Sequence, residues 1–323
     1  MINNQRIGVV IPCFKVEKHI LDVISRIDVS VEKIYVVDDC CPNHSGNLVS
    51  AECRDPRVIV LHNQKNLGVG GAVMRGYAAA LEDQIDVVVK IDGDGQMDPS
   101  ILNSFVKPIT KYEADYTKGN RFYNLEEILV MPKKRIFGNA ILSFVTKLSS
   151  GYWNIFDPTN GYTAISANVL RLMPLHKINN GYFFETDMLF RLNTVRAVVR
   201  DIPMHALYLD EESNLKIHKI LLPFLINNLR NFFKRIFYNY YLRDLSISSI
   251  ELPIGFFLIL FGGIFGINKW VESAHLDIPA TAGSVMISAL PILMGLQLIL
   301  AFLNNDISST PTVVINKQLS QDQ

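Results

Sequence analysis

The stretch Val87-Val88-Val89-Lys90-Ile91-Asp92-Gly93-Asp94-Gly95-Gln96 decides how this chain is read. Its first half is an apolar, β-branched run with the composition of a buried strand. Its second half is a tight turn in which two carboxylates stand one residue apart among glycines. A buried strand that ends in acids places polar groups at its carboxyl end, where open α/β sheets bind ligands. Both carboxylates can converge on one hard cation. Magnesium or manganese prefers such oxygen ligands and leaves coordination positions open for phosphate oxygens, so the pattern suits a metal clamped onto a nucleotide diphosphate.

Upstream, apolar β-branched runs recur at Ile7 to Ile11, Ile34 to Val37 and Val58 to Leu61, with helix-length segments between them. That rhythm predicts an α/β fold with a Rossmann-like, mostly parallel, doubly wound sheet. The spacer Gly70 to Leu81 carries Ala72, Val73, Tyr77, Ala80 and Leu81 at roughly helical spacing, as a helix covering one sheet face does. The second strand also runs into acids, Val36-Val37 leading to Asp38-Asp39. No repeat with a period of roughly 20 to 50 residues is present.

At 323 residues and 49% hydrophobic content, the chain can build a full α/β domain and have about 100 residues left over. Lys and Arg number 31, and so do Asp and Glu, so no chain-wide attraction to nucleic acid is expected. Cys13, Cys40, Cys41 and Cys53 show no CxxC spacing, which fits a reducing compartment. The polar start, Met1 to Arg6, lacks the features of a signal peptide, so the front of the chain is expected in the cytoplasm.

From Ile217 the composition changes. Ile217 to Leu242 mixes Leu, Ile and Phe with Lys219, Arg230, Lys234 and Arg235, and adds Tyr238, Tyr240 and Tyr241, a blend that suits interfacial helices. Two uncharged stretches follow, Leu252 to Asn268 and Ile278 to Leu303. The second exceeds the ~20 residues needed to cross a bilayer core, and the first reaches that length by extending back through Leu245 to Ile250, with Glu251 near the interface. Arg230, Lys234, Arg235 and Arg243 precede the first span, whereas the connecting loop carries Lys269 against Glu272 and Asp277. Positive-inside logic therefore keeps the large domain on the cytoplasmic side, and if both segments cross, the tail after Asn304 returns to that same side. The expected division is residues 1–216 as catalytic domain, 217–244 as juxtamembrane helices, 245–304 as a two-span hairpin and 305–323 as a cytoplasmic tail. Gly255, Gly262, Gly263 and Gly266 permit close helix contact, including a homo-oligomer.

Three motifs occur in a telling order: Pro12-Cys13-Phe14-Lys15-Val16-Glu17, Val37-Asp38-Asp39 and Asp92-Gly93-Asp94-Gly95-Gln96. Together they resemble the family 2 inverting glycosyltransferases of the GT-A fold, and most of all the polyprenyl-phosphate branch typified by dolichyl-phosphate mannose synthase. The resemblance covers about Ile7 to Lys216, and the two spans extend it toward bacterial polyprenyl-phosphate glycosyltransferases. It implies that Pro12, Phe14 and Glu17 surround the base and ribose, and that Asp39, or in its place Asp38, accepts a hydrogen bond from the base. Lys15 stands where the family commonly has Asn. Asp92 and Gly93 would lie against the nucleotide sugar, with Asp92 facing the ribose or the metal, while Asp94 and Gln96 resemble the metal and diphosphate ligands of the family's D-x-D-x-Q motif.

The glycine-rich Asn66-Leu67-Gly68-Val69-Gly70-Gly71 follows the third strand, not the first, so it is not a dinucleotide fingerprint; the family has a similar N-x-G loop there. By the same resemblance, Arg121 in Lys118-Gly119-Asn120-Arg121 would stabilise charge on the departing diphosphate or hold the incoming phosphate, and Arg135 would grip the acceptor phosphate. Asp157 to Gly161 and Phe183 to Asp187 fall at the family's acceptor-side elements, with Asp187 at the acidic position. A phosphate monoester acceptor, with a second pKa of about 6, is already largely ionised at neutral pH, so Asp187 would orient groups and not abstract a proton. Lys216 is the expected diphosphate contact in Glu212 to Lys216, although the arginine that relatives carry near Tyr208 is missing. His62, His176, His205 and His218 show no metal-ligand spacing.

The expectation is a membrane-anchored, inverting glycosyltransferase with magnesium or manganese as cofactor. A nucleotide-diphosphate sugar, UDP ahead of GDP, would donate to undecaprenyl or dolichyl phosphate. The alternatives are transfer onto a lipid-diphosphate-linked saccharide, which would require Asp187 as base, and a non-catalytic nucleotide-binding membrane scaffold.

Overall fold

The computed structural model describes residues 2, 4–123, 133–205 and 217–319. The four apolar runs form four parallel strands, β1 (Ile7–Cys13), β2 (Lys33–Asp38), β3 (Val58–His62) and β4 (Val87–Lys90). Three more, β5 (Tyr116–Asn120), β6 (Thr163–Ser166) and β7 (Val199–Pro203), complete a seven-stranded sheet in the order β3-β2-β1-β4-β6-β5-β7. Only β6 runs against the others, pairing antiparallel with β4 and β5.

Alternation along β1 builds two cores. Ile7, Val9, Ile11 and Cys13 point to one face, where they meet Ile20 and Val23 of α1 (Ile20–Ser25) and Leu102 and Phe105 of α4 (Leu102–Thr110). Val10 points to the other, against Ala72, Val73 and Tyr77 of α3 (Val69–Glu82) and alongside Leu189 of α7 (Phe184–Thr194). Each such aliphatic side chain, fully buried, stabilises the fold by about 1.5–3 kcal/mol. The remaining helices of this part are α2 (Ser45–Glu52), α5 (Lys133–Ser150) and α6 (Ala167–Arg171).

The chain forms two units, Met1–Phe233 together with Pro311–Gln323, and Lys234–Thr310. The long helix α8 (Ile217–Phe237) carries the chain from the first to the second. The end of the chain thus belongs to the first unit and is not a separate tail. Asp115 is the reason: its buried carboxylate accepts hydrogen bonds from Ile315 N at 3.1 Å and Asn316 N at 2.7 Å, and also from Val198 N at 2.7 Å. These bonds start the short helix α11 (Ile315–Leu319), and Asn168 Nδ2 donates to Asn316 Oδ1 at 3.0 Å.

The second unit is a hairpin of α9 (Ile247–Leu276) and α10 (Ala282–Ser308), 30 and 27 residues long. Both are long and apolar enough to cross a membrane, and only 11% of the most apolar window of each is buried, which a soluble core helix would not show. The stretch Leu252 to Asn268 lies inside α9. The second helix begins at Ala282, later than the apolar run at Ile278, because Thr281 caps it by accepting from Ser284 N. Small residues close the seam between the two: a Cβ on Gly255 would come within 2.9 Å of the Gly295 carbonyl oxygen, and Ser288 Oγ donates to the Gly262 carbonyl at 2.9 Å. Gly266 also packs on Ser288, whereas Gly263 faces open space.

Candidate active site

The site assembles at the carboxyl end of β4. Beyond it, Asp92, Asp94 and Gln96 are half-buried and alternate with the buried Gly93, Gly95 and Met97, so each of the three oxygen-bearing residues keeps partial access to solvent. The loop holds its own shape: Gln96 N donates to Asp94 Oδ1 at 3.0 Å, and Gly95 takes a φ of +79°, which glycine adopts without strain. Among the described residues no three His, Cys, Asp or Glu side chains gather closely enough to hold a metal ion. Two carboxylates and an amide oxygen nevertheless form a hard donor set that suits magnesium or manganese if the remaining positions go to the oxygens of a bound diphosphate.

Behind this loop lies a buried cluster of charge. Lys90, the last residue of β4, pairs with Asp92 Oδ1 at 2.6 Å and lies 3.7 Å from Glu185 Oε1 on α7. Lys118 of β5, also fully buried, donates from Nζ to the carbonyl oxygen of Asn160. Burial pushes the Glu185 carboxyl up and the Lys118 ammonium down. Burial would lower Lys90 too, but the adjoining Asp92 and Glu185 outweigh it and hold Lys90 above the ordinary lysine range. Gly161 leaves the space these groups fill: a Cβ there would lie 2.6 Å from Asp92 Oδ2 and 3.0 Å from Glu185 Oε1.

Glu185 and Lys90 escaped the sequence reading. A lysine inside a buried apolar run is itself a signal, because it requires an acidic partner. Glu185 was harder to find beside Asp187. Two positions apart on a helix, their side chains point about 200° apart, so they cannot serve one centre. Asp187 is buried and accepts from Asn179 N at 3.0 Å, Arg191 Nε at 3.3 Å and Asn231 Nδ2 at 3.1 Å, which ties α7 to α8.

Directly after β5, Arg121 pairs with the buried Asp157, Nε to Oδ2 at 2.7 Å and Nη2 to Oδ1 at 2.9 Å. The backbone of Arg135 lies in the first turn of α5, and its side chain lies outside the described residues, as does Lys216 with the segment around it.

At the ends of β1 and β2, Phe14 is exposed and Pro12 half-buried. Glu17 links the two loops by accepting from Asn43 Nδ2 at 2.6 Å and Ser45 Oγ at 3.2 Å, and the Asn43 bond above all holds its carboxyl below the ordinary range. Asp39 is buried, and its carboxylate accepts from Asn63 Nδ2 at 2.7 Å, Leu67 N at 2.8 Å and Gly68 N at 2.7 Å. It therefore shapes the glycine loop, where Gly68 has a φ of +84° and no room for a Cβ against the Asn180 carbonyl. Asp38 accepts from Cys41 N at 2.8 Å and Gly46 N at 2.7 Å.

The sequence profile of glycosyl transferase family 2 matches residues 8–172, just over half of the chain. The chain is 26% identical over 216 residues to the UDP-N-acetylglucosamine--dolichyl-phosphate N-acetylglucosaminyltransferase of Methanococcus voltae, covering 62% of this chain and 86% of that one. It is 31% identical over 173 residues to the undecaprenyl-phosphate mannosyltransferase of Micrococcus luteus, covering 53% and 70%. Its fold is like that of glucosyl-3-phosphoglycerate synthase from Mycobacterium tuberculosis, crystallised with Mn2+, UDP and glucosyl-3-phosphoglycerate. The TM-score is 0.54 over 72% of this chain and 80% of that one, at 18% identity, a likeness of fold alone. The profile runs from β1 through β6 and takes in the whole acidic loop after β4, and on that ground this chain belongs to glycosyl transferase family 2.

Proposed function

We propose that this protein transfers a sugar, with inversion, from a nucleotide-diphosphate sugar to a polyprenyl phosphate at the cytoplasmic face of a membrane. One observation carries the lipid acceptor: two helices of the catalytic unit are inside out. Helix α8 buries Asn228 and Asn231 and leaves Leu222, Leu225, Leu229 and Phe233 exposed. Helix α5 does the same, burying Ser143, Thr146 and Ser149 while Phe137, Ile141 and Phe144 stay exposed. Water would favour the reverse, whereas a bilayer surface covers such apolar stripes. The lipid phosphates in the names of the two relatives support the same acceptor.

Asp92, Asp94 and Gln96 are the residues that would hold magnesium or manganese on the donor. When bound, the divalent cation neutralises charge on the leaving diphosphate. Arg121, aimed by Asp157, adds a second positive charge there, Lys216 serves as a further contact to the diphosphate, and Arg135 holds the acceptor phosphate. Pro12, Phe14 and Glu17 enclose the nucleotide, with uridine favoured over guanosine, and Asp39 keeps the glycine loop beside it. The acceptor is already an anion at neutral pH, so catalysis rests on positioning and charge stabilisation. Asp187 contributes by holding α7 against α8. A hydroxyl acceptor would require a base, and the commitment of Asp187 to Asn179, Arg191 and Asn231 counts against that alternative.

The second unit joins the first at both of its ends, at Phe233 and at Pro311, which supports two crossings with both flanks on one side. The basic residues before α9 favour the cytoplasm for that side.

The test uses the full chain in lipid-detergent micelles, a panel of radiolabelled nucleotide sugars and a polyprenyl phosphate. Wild type should produce labelled lipid that chelator abolishes, and Asp94→Asn should lose at least ~100-fold while its circular dichroism stays native. Absence of labelled lipid from every donor, or full activity of Asp94→Asn without metal, overturns the proposal.

A further inference from the structure

Three residues other than glycine hold left-handed backbone in the two loops that follow β1 and β2: Lys15 (φ +59°), Cys40 (φ +55°) and His44 (φ +54°). Such conformations cost energy in a residue with a Cβ and persist only where the surroundings over-determine them. The loop after β2 is fixed by Asp38, whose carboxylate accepts from the Cys41 and Gly46 amides and leaves no room for a Cβ on Gly46. The loop after β1, which carries Phe14 and Glu17, hangs on that platform through side chains. Lys15 N donates to Cys41 Sγ at 3.1 Å, and Val16 N donates to Ser45 Oγ at 3.3 Å. Cys41 and Ser45 are both buried.

Proton counting gives these contacts a direction. Ser45 has one hydroxyl proton, which goes to Glu17 Oε2 at 3.2 Å, since a carboxylate only accepts. The contact of 3.2 Å between Cys41 Sγ and Ser45 Oγ then takes its proton from the thiol. One chain results, from the Lys15 amide to the Cys41 sulfur, from the Cys41 thiol to the Ser45 oxygen, and from the Ser45 hydroxyl to the Glu17 carboxylate. Hydrogen bonds in series polarise one another, and Cys41 is the member that joins the strained Lys15 to the rest. We infer that Cys41 is a positioning residue for the donor, whose thiol fixes the loop of Phe14 and Glu17 in the conformation that receives the nucleotide. The inference rests on the donor site proposed above and adds to it a residue that acts through Lys15, Ser45 and Glu17.

The experiment measures UDP binding by calorimetry on the full chain in detergent with Mn2+ present, alongside donor KM and kcat. Cys41→Ala, with native circular dichroism, should weaken UDP binding and raise donor KM by ~5–20-fold with kcat within about twofold, because the loss falls on ground-state and transition-state binding alike. Cys41→Ser, which keeps a donor and an acceptor on a shorter bond, should lie between wild type and Cys41→Ala. A merely structural role would lower the active fraction, and with it kcat, at unchanged KM. UDP should also slow the alkylation of Cys41 by N-ethylmaleimide several-fold, read by mass spectrometry of its peptide, because the buried thiol is reached only when the loop lifts. Unchanged UDP affinity in folded Cys41→Ala, or Cys41→Ser as weak as Cys41→Ala, overturns the inference while leaving the donor site standing. If Cys41→Ala does not fold, the alkylation decides, and equal rates with and without UDP overturn the inference. Failure of wild type to bind UDP overturns the donor site itself.

Discussion

Arg121 reaches Asp157 with both arms of its guanidinium, and its backbone N–H donates to the same carboxylate at 3.2 Å. Asp157 is buried while Arg121 is partly exposed, so the acid fixes the direction of a charge that solvent can reach. If that charge stabilises the leaving diphosphate, its alignment matters most in the transition state. Asp157→Asn should therefore lower kcat by about 10–100-fold with little change in donor KM. Steady-state kinetics check this, and a raised KM at unchanged kcat would contradict it.

Asp201 predicts a pH dependence of stability. Burial pushes its carboxyl up to about 6, although Oδ2 accepts from Asn120 Nδ2 at 3.0 Å and Phe156 N at 3.1 Å. Its Oδ1 has no hydrogen-bond partner among the described residues. The native pKa stands above the unfolded value of about 3.9, so the folded state holds this proton more tightly. The resulting stabilisation is complete below about pH 4 and is lost as pH rises through about 6. Asp201→Asn should remove that slope and stabilise the protein at pH 7.5 by up to about 3 kcal/mol, with no gain at pH 4. Denaturant titrations of the two proteins at both pH values measure it; equal stability at pH 7.5 would count against the assignment.

In the second unit, Arg235 and Asp306 form a fully buried pair, Nη1 to Oδ1 at 2.6 Å and Nη2 to Oδ2 at 3.0 Å, and Tyr240 donates to Asp306 Oδ1 at 2.8 Å. Removing one partner strands the other charge. Arg235→Met or Asp306→Leu alone should cost about 3–5 kcal/mol, and the double variant should recover much of that loss. Thermal melts of the detergent-solubilised set supply the double-mutant cycle, and strict additivity would show that the pair is not coupled.

The exposed stripe of α5 predicts where a tryptophan sits. Trp153 packs edge-on against Phe144 at 6.3 Å between ring centroids, and Trp270 is the other tryptophan of the chain. With Trp270→Phe reconstituted in vesicles, lipids brominated near the headgroup should quench Trp153 fluorescence. Emission equal to that in unbrominated vesicles would mean that the stripe does not meet the bilayer.

Local pattern alone determined the first four strands, the acidic loop after β4 and the two apolar helices, since a strand buried on both faces and a long uncharged helix each declare themselves within one short window. The order of motifs along the chain was likewise enough for the family. Tertiary structure decided the rest, because burial and pairing depend on residues far away in sequence. Strand β5 reads as polar, yet Lys118 is buried in it because the Asn160 carbonyl waits across the fold. The rotation of α7 alone selects Glu185 for the cluster behind the acidic loop and turns Asp187 to its structural partners. The end of the chain returns to the catalytic unit because Asp115, 200 positions earlier, offers its carboxylate to the amide of Ile315.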